Sequence, residues 1–337
     1  MKPIRIFING FGRIGRSAAR IILDDPALEL VGINDLYGAE QMAYLLRFDS
    51  VYGPLEREVK AGEGALIVDG SRITVRTEPD PHRLDLHGLD VDVLIQSSGH
   101  FLTIASNEPY RAAGAKRIVV STPPKDGMPV YIRGVNDTDY AGEPIVSNSS
   151  CSANAIVPLF KALEAVTPIR GAHLHMYHSY TAYQNLLDGP HYGRDIRRTR
   201  AAAANIIPID SSAAGATAHF FPHLEGNLYA KSIRIPVPAV TLYDLLITLE
   251  GRHDPAPLRQ ALLDEIDRHW QGILAHTGEP KVSSDYIADP YSATIDRALM
   301  DLSGGRLLRI SAWQDNEYGY AARLVEMAHH IGKSLTA

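Results

Sequence analysis

The sequence predicts an α/β chain in two parts: alternating strands and helices first, then an α+β part with a mostly antiparallel sheet. Three patterns carry that prediction. A short β-branched and aromatic run, Ile4-Arg5-Ile6-Phe7-Ile8, leads through Asn9-Gly10-Phe11-Gly12-Arg13-Ile14-Gly15 into a helical period over residues 13–23. Short apolar runs at 30–33, 66–68, 73–75, 91–95 and 118–120 then alternate with helical or loop segments. Beyond residue 151 the runs lengthen and alternate, at 173–180, 228–236, 240–249 and 307–313, as strands with one covered face do.

In the first part, strand, Gly-x-Gly-x-x-Gly and helix follow one another in the order that a dinucleotide fingerprint requires. Gly10 permits the tight turn, Gly12 lets the backbone approach a pyrophosphate, and Gly15 lets helix and strand pack closely. The pyrophosphate then lies on the helix N-terminus. The next strand ends in Asn34-Asp35, and Asp35 stands about 20 residues beyond the third glycine, where an acid pairs with a ribose 2′-hydroxyl. A carboxylate there repels a 2′-phosphate, so NAD is expected rather than NADP. The expectation is a Rossmann-type NAD-binding domain over residues 1–150, with Asn9, Gly10, Phe11, Gly12, Arg13, Ile14, Gly15 and Asp35 at the cofactor. Ligands of open α/β sheets bind beyond the carboxyl ends of the strands, so the loops 96–101 and 121–124 add Ser97, Gly99 and Ser121.

Composition narrows the class. Of 337 residues, 45% are hydrophobic and 21% charged, as in ordinary globular chains, and the length suggests two domains. A net charge of −6 gives no reason to expect nucleic acid as the main ligand. The single cysteine excludes an intrachain disulfide framework and fits a reducing compartment. The N-terminus is too short and interrupted for a signal peptide, and no apolar run nears the ~18 residues of a membrane span, so a cytoplasmic protein without a membrane partner is expected.

The one cysteine lies in Val146-Ser147-Asn148-Ser149-Ser150-Cys151-Ser152-Ala153-Asn154-Ala155-Ile156-Val157-Pro158. A short strand is expected at 144–146 and an amphipathic helix over 152–165. At such a handover, unpaired N–H groups and the helix dipole lower a thiol pKa and favour the thiolate. Two readings stand on these residues: a nucleophile among small hydroxyl neighbours (Ser149, Ser150, Ser152), or a buried, inert cysteine. Further on, alternation puts His178 on the face of Leu174 and Met176, with His173 and His175 opposite. On that face His178 is either a core residue or a catalytic base. His173 and His175 have no acidic cluster or second thiolate near them in sequence, so no metal site is expected. Residues 188–204, with Arg194, Arg197, Arg198 and Arg200, lack an apolar period and read as a long, functional loop. Residues 254–274 read as a helix packed on the second sheet, and 318–333 as the closing helix.

The run Ser147-Asn148-Ser149-Ser150-Cys151-Ser152-Ala153-Asn154 closely resembles the active-site signature of phosphorylating glyceraldehyde-3-phosphate dehydrogenases. The resemblance continues along the whole chain, at 8–16, 34–36, 48–53, 178–181, 197–208, 233–236, 289–292 and 313–320. It implies that Cys151 is the nucleophile and His178 the base that activates it. It implies a substrate phosphate at Thr181 and Arg234, and a second, attacking phosphate near Ser150, Ser152, Ser211, Ser212 and Arg197. Asn316 would hold the nicotinamide carboxamide, with Tyr320 also at the cofactor. The implied layout is a catalytic domain over 151–315 and a C-terminal helix, 316–337, that returns to the NAD-binding domain. The implied assembly is a homotetramer in which the arginine-rich loop packs against a neighbouring subunit's cofactor site. The implied reaction is NAD-dependent oxidation of glyceraldehyde 3-phosphate through a Cys151 thioester, which inorganic phosphate resolves to 1,3-bisphosphoglycerate.

The departures from that family gather where the attacking phosphate would sit. Ser152 and Ala153 stand in place of two threonines, and Ala155 in place of a frequent second cysteine. Ser211-Ser212-Ala213-Ala214-Gly215 replaces Thr-Gly-Ala-Ala-Lys, and Pro79 replaces an arginine that often contacts the cofactor. A sister family, erythrose-4-phosphate dehydrogenase, shares fold and cysteine but resolves its acyl-enzyme with water. Asp210 and Phe220-Phe221-Pro222 resemble that family, whereas Asn34-Asp35-Leu36 and His178-Ser179-Tyr180-Thr181 resemble the glyceraldehyde phosphate enzymes. A non-catalytic NAD-binding scaffold is the third reading, and Cys151, His178 and Arg234 argue against it.

Overall fold

A computed structural model describes residues 2–193 and 195–335, so Arg194 of the arginine-rich segment lies outside the described residues. The chain divides into two units, Met1–Ser150 with Tyr320–Ala337, and Cys151–Gly319.

The first unit is built on an eight-stranded sheet. Its strands are β1 (Ile4–Asn9), β2 (Leu28–Asn34), β3 (Val59–Gly62), β4 (Ala65–Val68), β5 (Ser71–Arg76), β6 (Val93–Gln96), β7 (Arg117–Val120) and β8 (Ile145–Ser147), in the order β3-β4-β5-β2-β1-β6-β7-β8. From β5 to β8 every pairing is parallel, whereas β3, β4 and β5 form an antiparallel meander at one edge. Helices α1 (Arg13–Asp24), α2 (Ala39–Arg47) and α3 (Ile104–Ala112) follow β1, β2 and β6. The strand order reverses between β1 and β6, which makes the end of β1 the crevice where such sheets bind ligands. The central strands are apolar on both faces: Ile4, Ile6 and Ile8 join one core cluster, while Phe7 joins the other. The closing helix, Tyr318–Lys333, contributes Leu324, Val325, Ala328 and Ile331 to the cluster of Ile4 and Ile6. A Cβ on its Gly332 would stand 2.5 Å from Ile4, so glycine lets that helix approach β1.

The second unit begins with α4 (Cys151–Glu164), so the cysteine is the first helical residue. Its sheet comprises β9 (Ile169–Ser179), β10 (Ile207–Asp210), β11 (Leu228–Ile235), β12 (Thr241–Leu249), β13 (Leu274–Thr277), β14 (Ala293–Asp296), β15 (Asp301–Ser303) and β16 (Leu307–Gln314). The order is β10-β11-β9-β12-β16-β14-β13, with β15 paired to β16; only β11–β9 and β14–β13 are parallel. Strands β9 and β12 bury alternate residues, Leu174, Met176 and His178 on one and Thr241, Tyr243, Leu245 and Ile247 on the other. The short helix α5 (Ala213–Ala218) and α6 (Pro255–His269) complete the unit, and the closing helix Tyr318–Lys333 is α7.

The helix expected over 254–274 stops at His269. Gly272, at φ +76°, turns the chain, and Leu274 opens β13. The apolar period of the sequence continues across Trp270, Ile273 and Leu274, which belong to the turn and the strand. The loop 188–204 contains two single-turn 3-10 segments, Ile196–Thr199 and Ala202–Ala204. Among the described residues no helix is long and apolar enough to cross a membrane.

Candidate active site

The glycine loop has the geometry that each of its positions requires. Gly10 has φ +96°, and a Cβ there would lie 2.4 Å from Ser98 N. A Cβ on Gly15 would lie 2.1 Å from the Gly10 carbonyl oxygen. Nothing stands within 4 Å of a Cβ on Gly12, so its backbone faces open space at the start of α1. The cleft over this loop has a volume of about 340 Å³ and is lined by Asn9, Gly10, Gly12, Asp35 and Ser97 among others. Asn9 donates to Gln96 Oε1 at 2.7 Å and accepts from Asn34 at 2.7 Å, which ties the ends of β1, β2 and β6 together. Asp35 accepts from the backbone N–H of Phe11 at 2.5 Å and of Leu36 at 2.7 Å.

Four of the expected cofactor residues take a different part from the one their position suggests. The Phe11 side chain is buried in the core and Ile14 packs against it, so only their backbones face the loop. Arg13 forms an ion pair with Asp49 and stacks over Tyr52. Tyr320 is buried, and its hydroxyl donates to the Ser149 carbonyl at 3.0 Å; it holds the turn before Cys151. Ser149 in that turn has φ +58°. Gly99 (φ +76°) and buried Ser121 lie in the loops after β6 and β7 without lining the cleft.

The chemistry-bearing side chains of the second unit share one row across its sheet. Strand register pairs Arg234 with His178, His178 with Thr241, and Thr241 with Gln314. Directly paired residues share a face, so these four strands present Arg234, His178, Thr241 and Gln314 side by side. Half-buried Cys151, at the head of α4, meets this row: its Sγ lies 3.8 Å from His178 Nε2, and its carbonyl accepts from Gln314 Nε2 at 3.2 Å. His178 Nδ1 lies 2.7 Å from the Ser179 carbonyl and 2.5 Å from Arg234 Nη1. Arg234 Nη1 also donates to the Ser179 carbonyl at 3.2 Å.

Burial dominates the electrostatics here. It pushes the Cys151 thiol up, against the pull of Arg234 and of hydrogen bonds from Ser152. This corrects the expectation of a depressed thiol: the helix start is present, but the sulfur is desolvated, and desolvation outweighs the nearby positive groups. Burial and the Arg234 charge push His178 down to about 3, so its imidazole is neutral at physiological pH. Desolvation likewise pushes half-buried Arg234 down to about 10. The resting pair is therefore a thiol beside a neutral imidazole.

The expected phosphate residues are less uniformly placed. The Thr181 hydroxyl donates to Gln184 Oε1 at 2.9 Å. Exposed Arg197 makes a bidentate pair with Asp195, with both contacts at 2.9 Å, and no contact with Cys151 or His178 is among its bonds. Ser211 Oγ accepts from the Ala213 N–H at 3.1 Å, next to Ser212 at the head of α5. Ser152 follows Cys151 in the first turn of α4, and Ser150, just before it, is half-buried. Asn316 Oδ1 accepts from Ser179 at 2.9 Å and Thr241 at 3.3 Å, which turns its Nδ2 away from both as a donor. Among the described residues no group of three or more His, Cys, Asp or Glu side chains is placed to hold a metal. Sequence reasoning missed Thr241 and Gln314, which only strand register places in the row of His178, and Tyr243, whose hydroxyl donates to Gln314 at 2.8 Å.

Comparison with known proteins adds the rest. Residues 4–104 match the glyceraldehyde 3-phosphate dehydrogenase NAD binding domain, and residues 150–316 match the C-terminal domain of the same enzymes. The chain belongs to the glyceraldehyde 3-phosphate dehydrogenase family. It is 37% identical to glyceraldehyde-3-phosphate dehydrogenase 1 of Bacillus subtilis, over 98% of each chain. It is 38% identical to the Geobacillus stearothermophilus enzyme, over 97% of this chain and 98% of that one. It is likewise 38% identical to that of Haloarcula vallismortis, over 98% of each. The α/β architecture and the use of NAD follow from family membership.

Proposed function

We propose that the chain is an NAD-dependent, phosphorylating glyceraldehyde-3-phosphate dehydrogenase that works through a Cys151 thioester. The observation that carries this is the pairing of Cys151 Sγ with His178 Nε2, backed by Arg234, in a chain of this family. Residues 1–150 with the C-terminal helix serve as the NAD-binding domain, and 151–315 as the catalytic domain. The glycine loop fits a dinucleotide: Gly12 leaves the cradle open, where a side chain would fill it. Asn9, Gly10, Gly12, Asp35 and Ser97 would hold the cofactor, and Asn316 Nδ2 would donate to the carboxamide. NAD, when bound, supplies the hydride acceptor.

His178 does the proton work. Its Nε2 takes the thiol proton as Cys151 Sγ bonds to the aldehyde carbon, then returns it to the new alkoxide, giving a thiohemiacetal. It takes that hydroxyl proton again as hydride leaves the carbon, and a thioester remains. An oxygen of inorganic phosphate attacks the thioester carbon, the sulfur leaves as thiolate, and the imidazolium reprotonates it. The products are the acyl phosphate and the resting thiol. Arg234 and Thr181 hold the substrate's own phosphate, which Thr181 can do once its hydroxyl turns from Gln184. An anion that draws Arg234 away also leaves His178 Nδ1–H donating to Ser179, so that Nε2 faces the sulfur as an acceptor. Ser150, Ser152, Ser211, Ser212 and Arg197 are the groups proposed around the attacking phosphate.

A homotetramer is part of this proposal. Tyr192 and Ile196 on the arginine-rich loop, and Leu186 and Leu187 just before it, expose 76–85% of their surface. Light scattering should give four chains per particle.

The deciding experiment follows NADH formation from glyceraldehyde 3-phosphate and from erythrose 4-phosphate, each with and without inorganic phosphate. We expect phosphate-dependent turnover of the first, and its loss in Cys151→Ser. Turnover that ignores phosphate, or that strongly prefers the four-carbon sugar, would overturn the phosphorylating assignment.

A further inference from the structure

Arg234 stands at the nitrogen of His178 that decides where the ring carries its proton. His178 Nδ1 lies 2.7 Å from the Ser179 carbonyl and 2.5 Å from Arg234 Nη1, and the same Nη1 donates to that carbonyl at 3.2 Å. A guanidinium nitrogen only donates and a carbonyl oxygen only accepts. With Arg234 titrating at about 10, the guanidinium is charged at neutral pH. One Nη1 proton therefore meets Nδ1 and the other meets Ser179. Nδ1 must then be the bare, accepting nitrogen, because an N–H there would set two donors against each other at 2.5 Å. The Thr241 hydroxyl, next to His178 in the row, donates to Asn316 instead. The ring is neutral, so its one proton sits on Nε2, which faces Cys151 Sγ at 3.8 Å. In that form Nε2 cannot take the thiol proton. Arg234 Nε is buried with no hydrogen-bond partner, so the guanidinium is only partly satisfied where it stands.

We propose that Arg234 locks His178 in the Nε2–H tautomer at rest, and that the substrate's phosphate group unlocks it by drawing Arg234 onto itself. This rests on the reading that places that phosphate at Arg234. A phosphate dianion is a stronger acceptor than a neutral imidazole nitrogen, and it offers the unpartnered Nε a bond as well. As Nη1 leaves, Nδ1–H can take its place as the donor to the Ser179 carbonyl, already 2.7 Å away. One proton passes from Nε2 to water and one from water to Nδ1, so the ring stays neutral. Nε2 is then the acceptor that the Cys151 thiol needs as its sulfur attacks the aldehyde carbon. The phosphate group is thus a switch as well as a handle. An aldehyde without it leaves Arg234 on His178 and meets a cysteine whose base is closed. The site therefore selects phosphorylated aldehydes in the chemical step and not in binding alone.

The test reads the tautomer directly, by nitrogen-15 NMR of the full chain with labelled histidines at neutral pH. The His178 signals are those lost in His178→Gln. The parent should show a protonated Nε2 and a bare Nδ1. Methyl phosphate, which carries the phosphate but no aldehyde, should move the proton to Nδ1. Arg234→Met should show Nδ1 protonated with no anion added. Its Cys151 should also be alkylated by iodoacetamide faster than in the parent, on the order of tenfold, the scale of one hydrogen bond to a charged group. Charge alone predicts the opposite sign, since removing a cation near a thiol slows thiolate formation. A parent ring already protonated on Nδ1 at rest, a ring that methyl phosphate does not change, or an Arg234→Met chain alkylated no faster than the parent overturns the proposal. If Arg234→Met does not fold, the two spectra of the parent decide. A chain that passes the NADH assay with Nδ1 protonated at rest keeps the proposed function and loses this inference. One that shows the Nε2–H ring and its release by methyl phosphate, without NADH formation, does the reverse.

Discussion

Gly12 and Gly15 sit three residues apart in one motif, yet the space around them separates two kinds of requirement. Gly15 is fixed by the fold, since any Cβ would press into the Gly10 carbonyl at 2.1 Å. Gly12 is free of such contacts, and what its missing side chain leaves open is the approach for a ligand. Gly12→Ala should therefore leave the melting temperature nearly unchanged while weakening NAD binding, read by calorimetric titration. Gly15→Ala should cost more than about 2 kcal/mol in urea denaturation and lose NAD binding with it. These roles were legible in the sequence because the motif is local and its spacing encodes its geometry. Cys151 was legible as a candidate nucleophile from its local pattern, beside the reading of a buried, inert cysteine. The direction of its pKa was not. The helix start is visible in sequence, while the desolvation that outweighs it comes from packing against distant chain, such as the strand that brings His178 from 27 positions away.

At the scale of elements, the site depends on register. Four strands each contribute one residue to the Arg234, His178, Thr241, Gln314 row, and slipping any strand by one residue would turn its member to the opposite face. Alternation identified the correct face for His178, but no pattern within β12 or β16 states which residue will lie beside it. This is why Thr241, Tyr243 and Gln314 were missed. Helix α6 shows the converse error, where an apolar period carries on through a glycine turn into β13. Within the first unit, α7 is joined to the turn before Cys151 by the Tyr320–Ser149 hydrogen bond. Tyr320→Phe should cost about 1 kcal/mol in urea denaturation. It should also slow Cys151 alkylation at fixed pH, since Ser149 is then held at φ +58° by fewer contacts.

For the molecule as a whole, the neutral histidine has a cost that appears on acidification. In the unfolded chain His178 titrates near 6.5, whereas in the fold it stays neutral down to about 3. Between those values the unfolded state binds a proton that the folded state does not. Stability present above pH 6.5 is therefore lost progressively as pH falls toward 3. Urea midpoints measured from about pH 7 to about pH 4 should fall less steeply for His178→Gln than for the parent chain. Cys151 has a different whole-molecule consequence. It is the only cysteine in 337 residues, and the position four residues on is Ala155. If its sulfur is oxidised to the sulfenic acid, no second thiol in the chain can resolve it, so recovery depends on a small thiol from solution and further oxidation is irreversible. Each chain therefore carries a single redox fuse, and one thiol titration reports both oxidative damage and the number of surviving catalytic centres.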